Sequence, residues 1–174
     1  MNKLKKKIFF LKFFFFKLFN IKVINSAYGL LFYRNYNDTT FKFYVIGKYG
    51  YEYWNKIKNI EYPFLFIDIG SNQGLYAIGS SKNKNCVQSY AFEPIKKTFD
   101  LLLENIDLNK INNCQAYNLG ISNKNGFSKM FYDPKHSGAA HINDNEGYEF
   151  NNVEIINNQK LNNIIDKSYP IHIK

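Results

Sequence analysis

The residues best suited to chemistry lie in a short glycine-containing segment and at an acid that follows it. The run from Asp68 to Gly74 is Asp-Ile-Gly-Ser-Asn-Gln-Gly, and Glu93 follows on the next predicted strand. Glycines at Gly70 and Gly74 let the backbone turn tightly and approach a ligand closely. The carboxylate of Glu93 can accept hydrogen bonds from both hydroxyls of a ribose. The pattern therefore predicts a site for a nucleoside-containing cofactor.

The glycine segment and Glu93 can form one site only if they follow two parallel strands whose carboxyl ends meet at one edge of a sheet. Residues 64–69 are a continuous apolar run closed by an acid, which is typical of a strand buried on both faces. A short helix is predicted at 75–81, a second strand at 87–92, and a long amphipathic helix that opens at Glu93-Pro94. Ligands of open α/β sheets bind outside the carboxyl ends of the strands. The pattern thus predicts an α/β fold with the glycine segment beside Glu93.

The spacing of the glycines narrows the class of cofactor. Asn72 stands where the dinucleotide fingerprint has the glycine that approaches a pyrophosphate, and there is no Walker lysine. The start of the following helix suits a carboxylate. A ligand with a ribose and an amino-acid carboxylate but no phosphate fits better, and S-adenosylmethionine is that ligand. The alternative is that these glycines and acids are only turn and cap residues.

The same stretches of sequence resemble the FkbM-type methyltransferases. This resemblance implies a Rossmann-like class I methyltransferase fold over residues 64–174, with methyl transfer to oxygen on a carbohydrate or small metabolite. It is carried by four segments, Phe66–Gly74, Ala91–Pro94, Leu103–Asn109 and Asn118–Gly126. Asn105 and Asn109 match the pattern, although helix packing and capping explain them equally well.

The resemblance also implies roles for individual residues around the cofactor. Glu93 would hold the ribose, and Gly120 and Ile121 would lie near the adenine. The methionine end would be lined by four residues of the first loop, Asp68, Gly70, Asn72 and Gly74. No general base is identified, but His136 and His141 stand in the Gly- and Asn-rich region 133–152, predicted to be a mobile loop or hairpin. They are either a base near the acceptor or ordinary exposed loop histidines.

The predicted sheet is incomplete at its C-terminal side. Residues 170–174 resemble the start of the family's fourth strand, but the acidic segment that continues it there is not in this sequence. Further strands are predicted at 114–119, 127–132 and 153–156, with a short helix at 161–166. Because the missing strands would supply part of an acceptor site, two hypotheses stay open. The chain is either an active methyltransferase or a non-catalytic remnant of one.

Residues 1–25 form a basic, aromatic arm. They contain seven lysines and no acid, whereas the rest has 16 basic and 14 acidic residues, so a nucleic-acid partner is not expected. Lys12 and Lys17 interrupt the apolar residues, which argues against a membrane-spanning helix or a signal peptide. A helix on an anionic membrane surface is one hypothesis. The other is a helix that packs its aromatics on the domain, since its lysines do not share one face.

Residues 26–63 are predicted to be a leader that covers one face of the main sheet. It would contain a strand at 41–46 and a short helix at 51–57. Cys86 and Cys114 are expected to be reduced core thiols at the starts of neighbouring strands, without a metal, because neither belongs to a CxxC pair. This cysteine usage suits a cytoplasmic protein, with membrane contact through the arm as the open alternative.

Overall fold

A computed structural model describes residues 3–142 and 150–174 of the chain. Its helices are α1 (Lys3–Leu18), α2 (Thr39–Ile46), α3 (Tyr51–Lys58), α4 (Leu75–Ser81), α5 (Lys96–Leu108) and α6 (Asn158–Ile164). Its strands are β1 (Val23–Asn25), β2 (Leu31–Tyr33), β3 (Phe64–Ile69), β4 (Cys86–Phe92), β5 (Cys114–Tyr117), β6 (Gly120–Ile121), β7 (Gly126–Phe131), β8 (His141–Ile142), β9 (Phe150–Ile156) and β10 (Ile171–Ile173). Helices and strands alternate from β3 to β5, which is the predicted α/β order.

The central sheet is parallel and has the strand order β10-β3-β4-β5. Asp68 pairs with Ala91 and Ile69 with Phe92, so the two strands end together. The N–H groups of Gly70 and Ser71 both donate to the Phe92 carbonyl, 2.9 Å away in each case. This confirms the predicted α/β, Rossmann-like sheet and brings the glycine segment beside the end of β4.

The two faces of β3 belong to different parts of the core, because successive side chains of a strand point in opposite directions. Phe64 and Phe66 pack in a large cluster with Phe32, Phe41 and other residues of the first 60 positions. Leu65 and Ile67 pack in a second cluster with residues of β9 and the α6 region. Burial on both faces explains why the strand is a continuous apolar run rather than an alternating one.

The predicted strand at 41–46 is wrong, because these residues form helix α2. The Asp38 carboxylate caps the helix by accepting from the N–H groups of Thr40 and Phe41 at 3.0 and 3.2 Å. Gly47 ends the helix in the left-handed region at φ 71°. Phe41, Tyr44 and Val45 are buried at helical spacing. A short run that is apolar at every position but Lys42 is compatible with either structure, and the caps decide it. The predicted helix at 51–57 is confirmed as α3.

Helix α5 begins at Lys96 and not at Glu93-Pro94, with Ile95 as its N-cap residue. Glu93 and Pro94 therefore precede the helix. Leu102 of this amphipathic helix and its N-cap residue Ile95 are buried, whereas the neighbouring Leu103 is exposed.

The predicted boundaries of two other elements also differ from the structure. Strand β5 ends at Tyr117, before the predicted end at 119, because the Asn118 side chain donates to the carbonyls of Glu93 and Pro94 and turns the chain. Helix α6 begins at Asn158, earlier than the predicted start at 161, because the Asn157 side chain caps it at Lys160 N. The strands predicted at 127–132 and 153–156 are present as β7 and β9, and the segment 170–174, which resembles the start of a fourth strand, contains β10.

A second sheet has the order β6-β9-β7-β8. β7 and β9 pair antiparallel, and β7 also pairs with the short β8. The predicted loop or hairpin at 133–152 thus contains a 3-10 turn at Ser137–Ala139 and parts of two strands. Residues 143–149 of that prediction lie outside the described residues.

The two cysteines are free thiols at the starts of β4 and β5, as predicted. Burial raises the pKa of Cys86 to about 12 and that of Cys114 to about 11, so both stay protonated. Residues 3–142 and 150–174 contain no group of three or more His, Cys, Asp or Glu that could hold a metal. No helix in the same ranges is long and apolar enough to cross a membrane.

Candidate functional site

The loop after β3 offers an open backbone surface at Gly70. This residue has φ 73°, a conformation that side chains other than glycine rarely adopt. It is exposed, and a Cβ placed on it would meet no heavy atom within 4 Å. The backbone at Gly70 therefore faces free space that a ligand could fill.

A small apolar cavity of about 140 Å³ opens beside Gly70. Gly120 and Ile121 of β6 also line it, together with side chains of β7 and β9 that include Met130, Val153 and Ile155. Three of the predicted site residues thus share one cavity at the carboxyl edge of the sheet. An apolar slot with few polar groups suits a flat heteroaromatic ring.

Glu93 lies next to this cavity, of which Pro94 forms part of the wall. Its carboxylate is buried, and its two oxygens accept from Asn72 N and Ile95 N, both at 2.9 Å. Burial raises the pKa of Glu93 to about 7, although the two N–H donors oppose this shift. Each carboxylate oxygen has a second acceptor position, so the group can still receive ligand hydroxyls.

Asp68 is buried behind the loop. Its carboxylate accepts from Ala77 N at 2.9 Å and so fixes the first turn of α4 against the end of β3. Burial raises the pKa of Asp68 to about 7, and the Ala77 hydrogen bond and the charge of Lys174 partly offset the shift. In this structure Asp68 shapes the loop rather than lining the cavity.

Asn72 and Gly74 also shape the loop. Asn72 is in the left-handed region at φ 50°, and its side chain accepts from Gln73 N at 2.9 Å and donates to Ser137 Oγ at 3.0 Å. Gly74 has φ 93°, and a Cβ there would lie 2.6 Å from Leu102 Cδ1. Its lack of a side chain is what lets α5 pack closely against the loop.

Two important residues of this region, Asp38 and Gln73, were not predicted as site residues from the sequence. The buried Asp38 carboxylate accepts from Ser137 N at 3.0 Å, from Ser137 Oγ at 2.7 Å and from Gln73 Nε2, in addition to capping α2. Asp38 therefore joins the leader, the glycine loop and the 3-10 turn. Asp-Thr-Thr before an apolar run is a capping signal that could have identified it.

Gln73 has a buried acceptor that needs a partner. Its Nε2 donates to Asp38 and its backbone carbonyl accepts from Asn105 Nδ2 at 3.0 Å. Among the described residues, nothing donates to Gln73 Oε1. A buried polar atom without a partner is costly, and the fully buried Gln73 side chain does not line the cavity beside Gly70.

The two loop histidines are exposed. His141 Nδ1 lies 2.9 Å from the Ala139 carbonyl oxygen, and its ring packs near Phe131. His136 precedes the 3-10 turn. The prediction that one of them acts as a base stays a prediction.

A larger cavity, about 730 Å³, lies beside Trp54, Gly79 and Asn85 at the amino end of β4, away from the glycine loop.

No family model matches the chain, and no curated protein matches it significantly. Similar solved structures include M. jannaschii TYW2 in complex with AdoMet, with 24% identity over 55% of this chain and 42% of that chain and a TM-score of 0.40. P. horikoshii TYW2 in complex with MeSAdo has 20% identity over 57% of this chain and 36% of that chain, with a TM-score of 0.42. M. jannaschii tRNA m1G37 methyltransferase has 18% identity over 58% of this chain and 32% of that chain, with a TM-score of 0.40. The chain matches less than half the length of each, and a likeness of this size says nothing of ligand or reaction.

Proposed function

We propose that this chain binds S-adenosylmethionine at the carboxyl edge of β3 and β4 and is a methyltransferase that uses it. The observation on which the proposal rests is the meeting of three features at one place. These are the open backbone of Gly70, the buried carboxylate of Glu93 and the apolar cavity beside Gly120 and Ile121. Each suits a different part of the same ligand.

The adenine and ribose fit this arrangement. The apolar cavity would take the adenine ring, with Ile121 and Met130 on its walls. Glu93 would accept hydrogen bonds from the ribose hydroxyls while Asn72 N and Ile95 N hold its carboxylate in place. Hydrogen bonds to a carboxylate are strong when the group is ionised, and ligand donors would help to keep it so.

The methionine end would lie along the glycine loop. The exposed backbone of Gly70 allows close approach there. Asp68, Asn72 and Gly74 would act indirectly, by holding the loop in the conformation that presents this backbone. In this proposal four of the seven predicted residues, Gly70, Glu93, Gly120 and Ile121, would contact the cofactor, whereas Asp68, Asn72 and Gly74 would position the loop instead of lining the methionine end as predicted.

The bound cofactor supplies an activated methyl group, and the protein's part is to hold an acceptor in line with it and exclude water. The resemblance to FkbM-type enzymes favours oxygen on a carbohydrate or small metabolite as the acceptor. Nucleic acid is not the proposed acceptor, because residues 61–174 contain 11 basic and 12 acidic residues.

Calorimetric titration with S-adenosylhomocysteine tests cofactor binding. We expect saturable heat for the wild-type chain and none for Glu93→Ala, with Glu61→Ala as the control at an exposed acid. If a folded wild-type sample gives no heat at high micromolar ligand, cofactor binding is rejected. Circular dichroism of each variant shows whether it is folded.

A cofactor-binding chain without turnover is the second candidate. The observation that favours it is that both candidate bases, His136 and His141, are exposed. Transfer of labelled methyl from S-adenosylmethionine to a fractionated carbohydrate or metabolite mixture separates the two. Transfer that is lost in Glu93→Ala supports the enzyme, whereas binding without transfer to any fraction supports the second candidate.

A further inference from the structure

Helix α1 has an inner stripe that packs on the protein. Phe13 is buried, and its ring lies 5.9 Å from that of Tyr36 and 6.3 Å from that of Phe41 on α2. Phe9 and Phe16, four residues before and three residues after Phe13, are partly buried in the same cluster. This stripe attaches the helix to the leader.

The opposite side of α1 is also apolar and is exposed. Leu11 is 61% exposed and Phe15 is 56% exposed, although both are large hydrophobic residues. The outer face, as we call this surface, consists of Ile8, Phe10, Leu11, Phe14, Phe15 and Leu18, all of them exposed. The expectation that the arm packs its aromatics on the domain therefore holds only for the inner stripe. Contiguous apolar patches of this kind mark interaction sites.

Lysines stand at the two borders of the outer face, and the exposed Lys7 lies on the face itself near its N-terminal end. At 3.6 residues per turn, position 12 falls between the inner stripe and the side of Phe15, and position 17 falls between the inner stripe and the side of Phe10. Both lysines are exposed. Lys42 of α2 adds a third cation, with its Nζ 5.6 Å from the ring centroids of both Phe10 and Phe14. The apolar surface is thus bordered by cations.

The net positive charge of the chain is concentrated in its first 60 residues. Residues 1–60 contain 12 basic residues and two acids, Asp38 and Glu52, and Asp38 is buried. Residues 61–174 are close to neutral, with 11 basic and 12 acidic residues. An apolar face bordered by cations is complementary to a partner that has an apolar interior and negative charges at its surface. A bilayer with anionic headgroups has both properties.

We propose that the outer face of α1 docks on an anionic lipid bilayer, with the helix lying in the plane of the interface. Leu11, Phe14 and Phe15 enter the boundary between headgroups and acyl chains. Lys12, Lys17 and Lys42 reach the headgroups from its borders, since their long stems can lie along the apolar surface. The inner stripe keeps the rest of the chain attached above the membrane.

Sedimentation with vesicles tests the proposal on the full 174-residue chain. We expect binding to phosphatidylcholine vesicles that contain phosphatidylserine, and weaker binding to phosphatidylcholine alone or at high salt. The double variant Leu11→Gln, Phe15→Gln should bind at least about tenfold more weakly, because it loses apolar surface that enters the lipid. Phe127→Gln, at an exposed apolar residue of β7, is the matched control and should bind like the wild type.

The lysines are tested separately. Lys12→Gln should weaken binding to the anionic vesicles about fivefold, and Lys124→Gln, at an exposed lysine in the turn before β7, should not. Equal binding by the wild type and the Leu11→Gln, Phe15→Gln variant would overturn the proposal. So would a lack of wild-type binding to anionic vesicles.

A gain of signal keeps the test independent of variant folding. A tryptophan introduced by Phe15→Trp should shift its emission to the blue with anionic vesicles and be quenched by lipids brominated in the acyl chain, whereas Phe127→Trp should not. The competing occupant is a second copy of the chain. Dimerisation that the Leu11→Gln, Phe15→Gln variant abolishes, without any response of Phe15→Trp to lipid, would overturn the proposal in favour of that occupant.

Discussion

The backbone N–H of Asn72 donates to Glu93 Oε2 at 2.9 Å, which ties the glycine loop to the residue that follows β4. Asn72 holds a positive φ, so the loop conformation and the position of the carboxylate depend on each other. The other carboxylate oxygen accepts from Ile95 N just before α5. Glu93 thus links the ends of two strands and a helix, besides its proposed contact with the ribose.

Replacing Glu93 with Gln should separate these two roles. The amide has one acceptor oxygen, so one of the two N–H groups loses its partner and the free energy of unfolding falls by about 1–2 kcal/mol. The loss of charge should weaken S-adenosylhomocysteine binding by on the order of tenfold to a hundredfold, since charged acceptors make the stronger hydrogen bonds. Calorimetry and urea unfolding measure the two effects. Wild-type affinity in Glu93→Gln would contradict the assignment of Glu93 to the ribose.

The two loop glycines should respond differently to alanine. Gly70→Ala places its methyl group in open space at φ 73°, so it should cost only about 1 kcal/mol of stability while weakening cofactor binding. Gly74→Ala places a methyl group 2.6 Å from Leu102 Cδ1 and 2.8 Å from Ile78 Cδ1 at φ 93°, and should cost about 2–4 kcal/mol. Urea unfolding with and without S-adenosylhomocysteine checks both variants. Strong ligand stabilisation of Gly70→Ala would argue that the ligand does not approach this backbone.

The central βαβ unit was predictable because its signals are local. The apolar run at 64–69, the glycine turn and Glu93 lie close together in sequence, and parallel strands bring their ends to one edge. The cavity wall formed by Val153 and Ile155 was not predictable as a wall, because it depends on how β9 pairs with β6 and β7.

Ambiguous local patterns explain the errors. Residues 41–46 are apolar at nearly every position, so their periodicity could not separate a strand from a buried helix.

Asn105 and Asn109 had two interpretations, and the structure shows what each side chain does. Asn109 exchanges hydrogen bonds with the backbone N–H and carbonyl of Leu31, and Asn105 accepts from Tyr33 N. They join α5 to the leader, a contact that spans more than 70 positions.

The contact between Asp38 and Ser137 spans 99 positions and was likewise invisible to sequence patterns. Asp38→Ala should lower the free energy of unfolding by about 2–4 kcal/mol, because it removes the cap of α2 and leaves donors of Gln73 and Ser137 unpaired. Ser137→Ala removes one hydroxyl but leaves its backbone N–H donating, so it should cost about 1 kcal/mol. Urea unfolding ranks the two variants, and Ser122→Ala at the β6 turn is the control. Equal costs for Asp38→Ala and Ser137→Ala would argue against Asp38 as the common acceptor.

The two buried carboxyls should make the chain less stable as pH rises towards neutrality. The pKa of Asp68 is raised from 3.8 to about 7 and that of Glu93 from 4.5 to about 7, mainly by burial. Between these limits the folded chain holds protons that the unfolded chain has lost, so the free energy of unfolding falls as pH rises through the window. Above about pH 7 both forms are ionised and this contribution no longer changes.

The size of this loss is on the order of 2–4 kcal/mol for each carboxyl. Urea unfolding between about pH 4 and pH 8 should show it, and Asp68→Asn should flatten the profile because an amide does not titrate. The exposed Asp107 offers the matched control, since Asp107→Asn should leave the slope in this window unchanged. S-adenosylhomocysteine should also reduce the fall, because ribose donors favour the ionised form of Glu93. A free energy of unfolding that rises across the window, in wild type and Asp68→Asn alike, would show that these carboxyls are not buried as described.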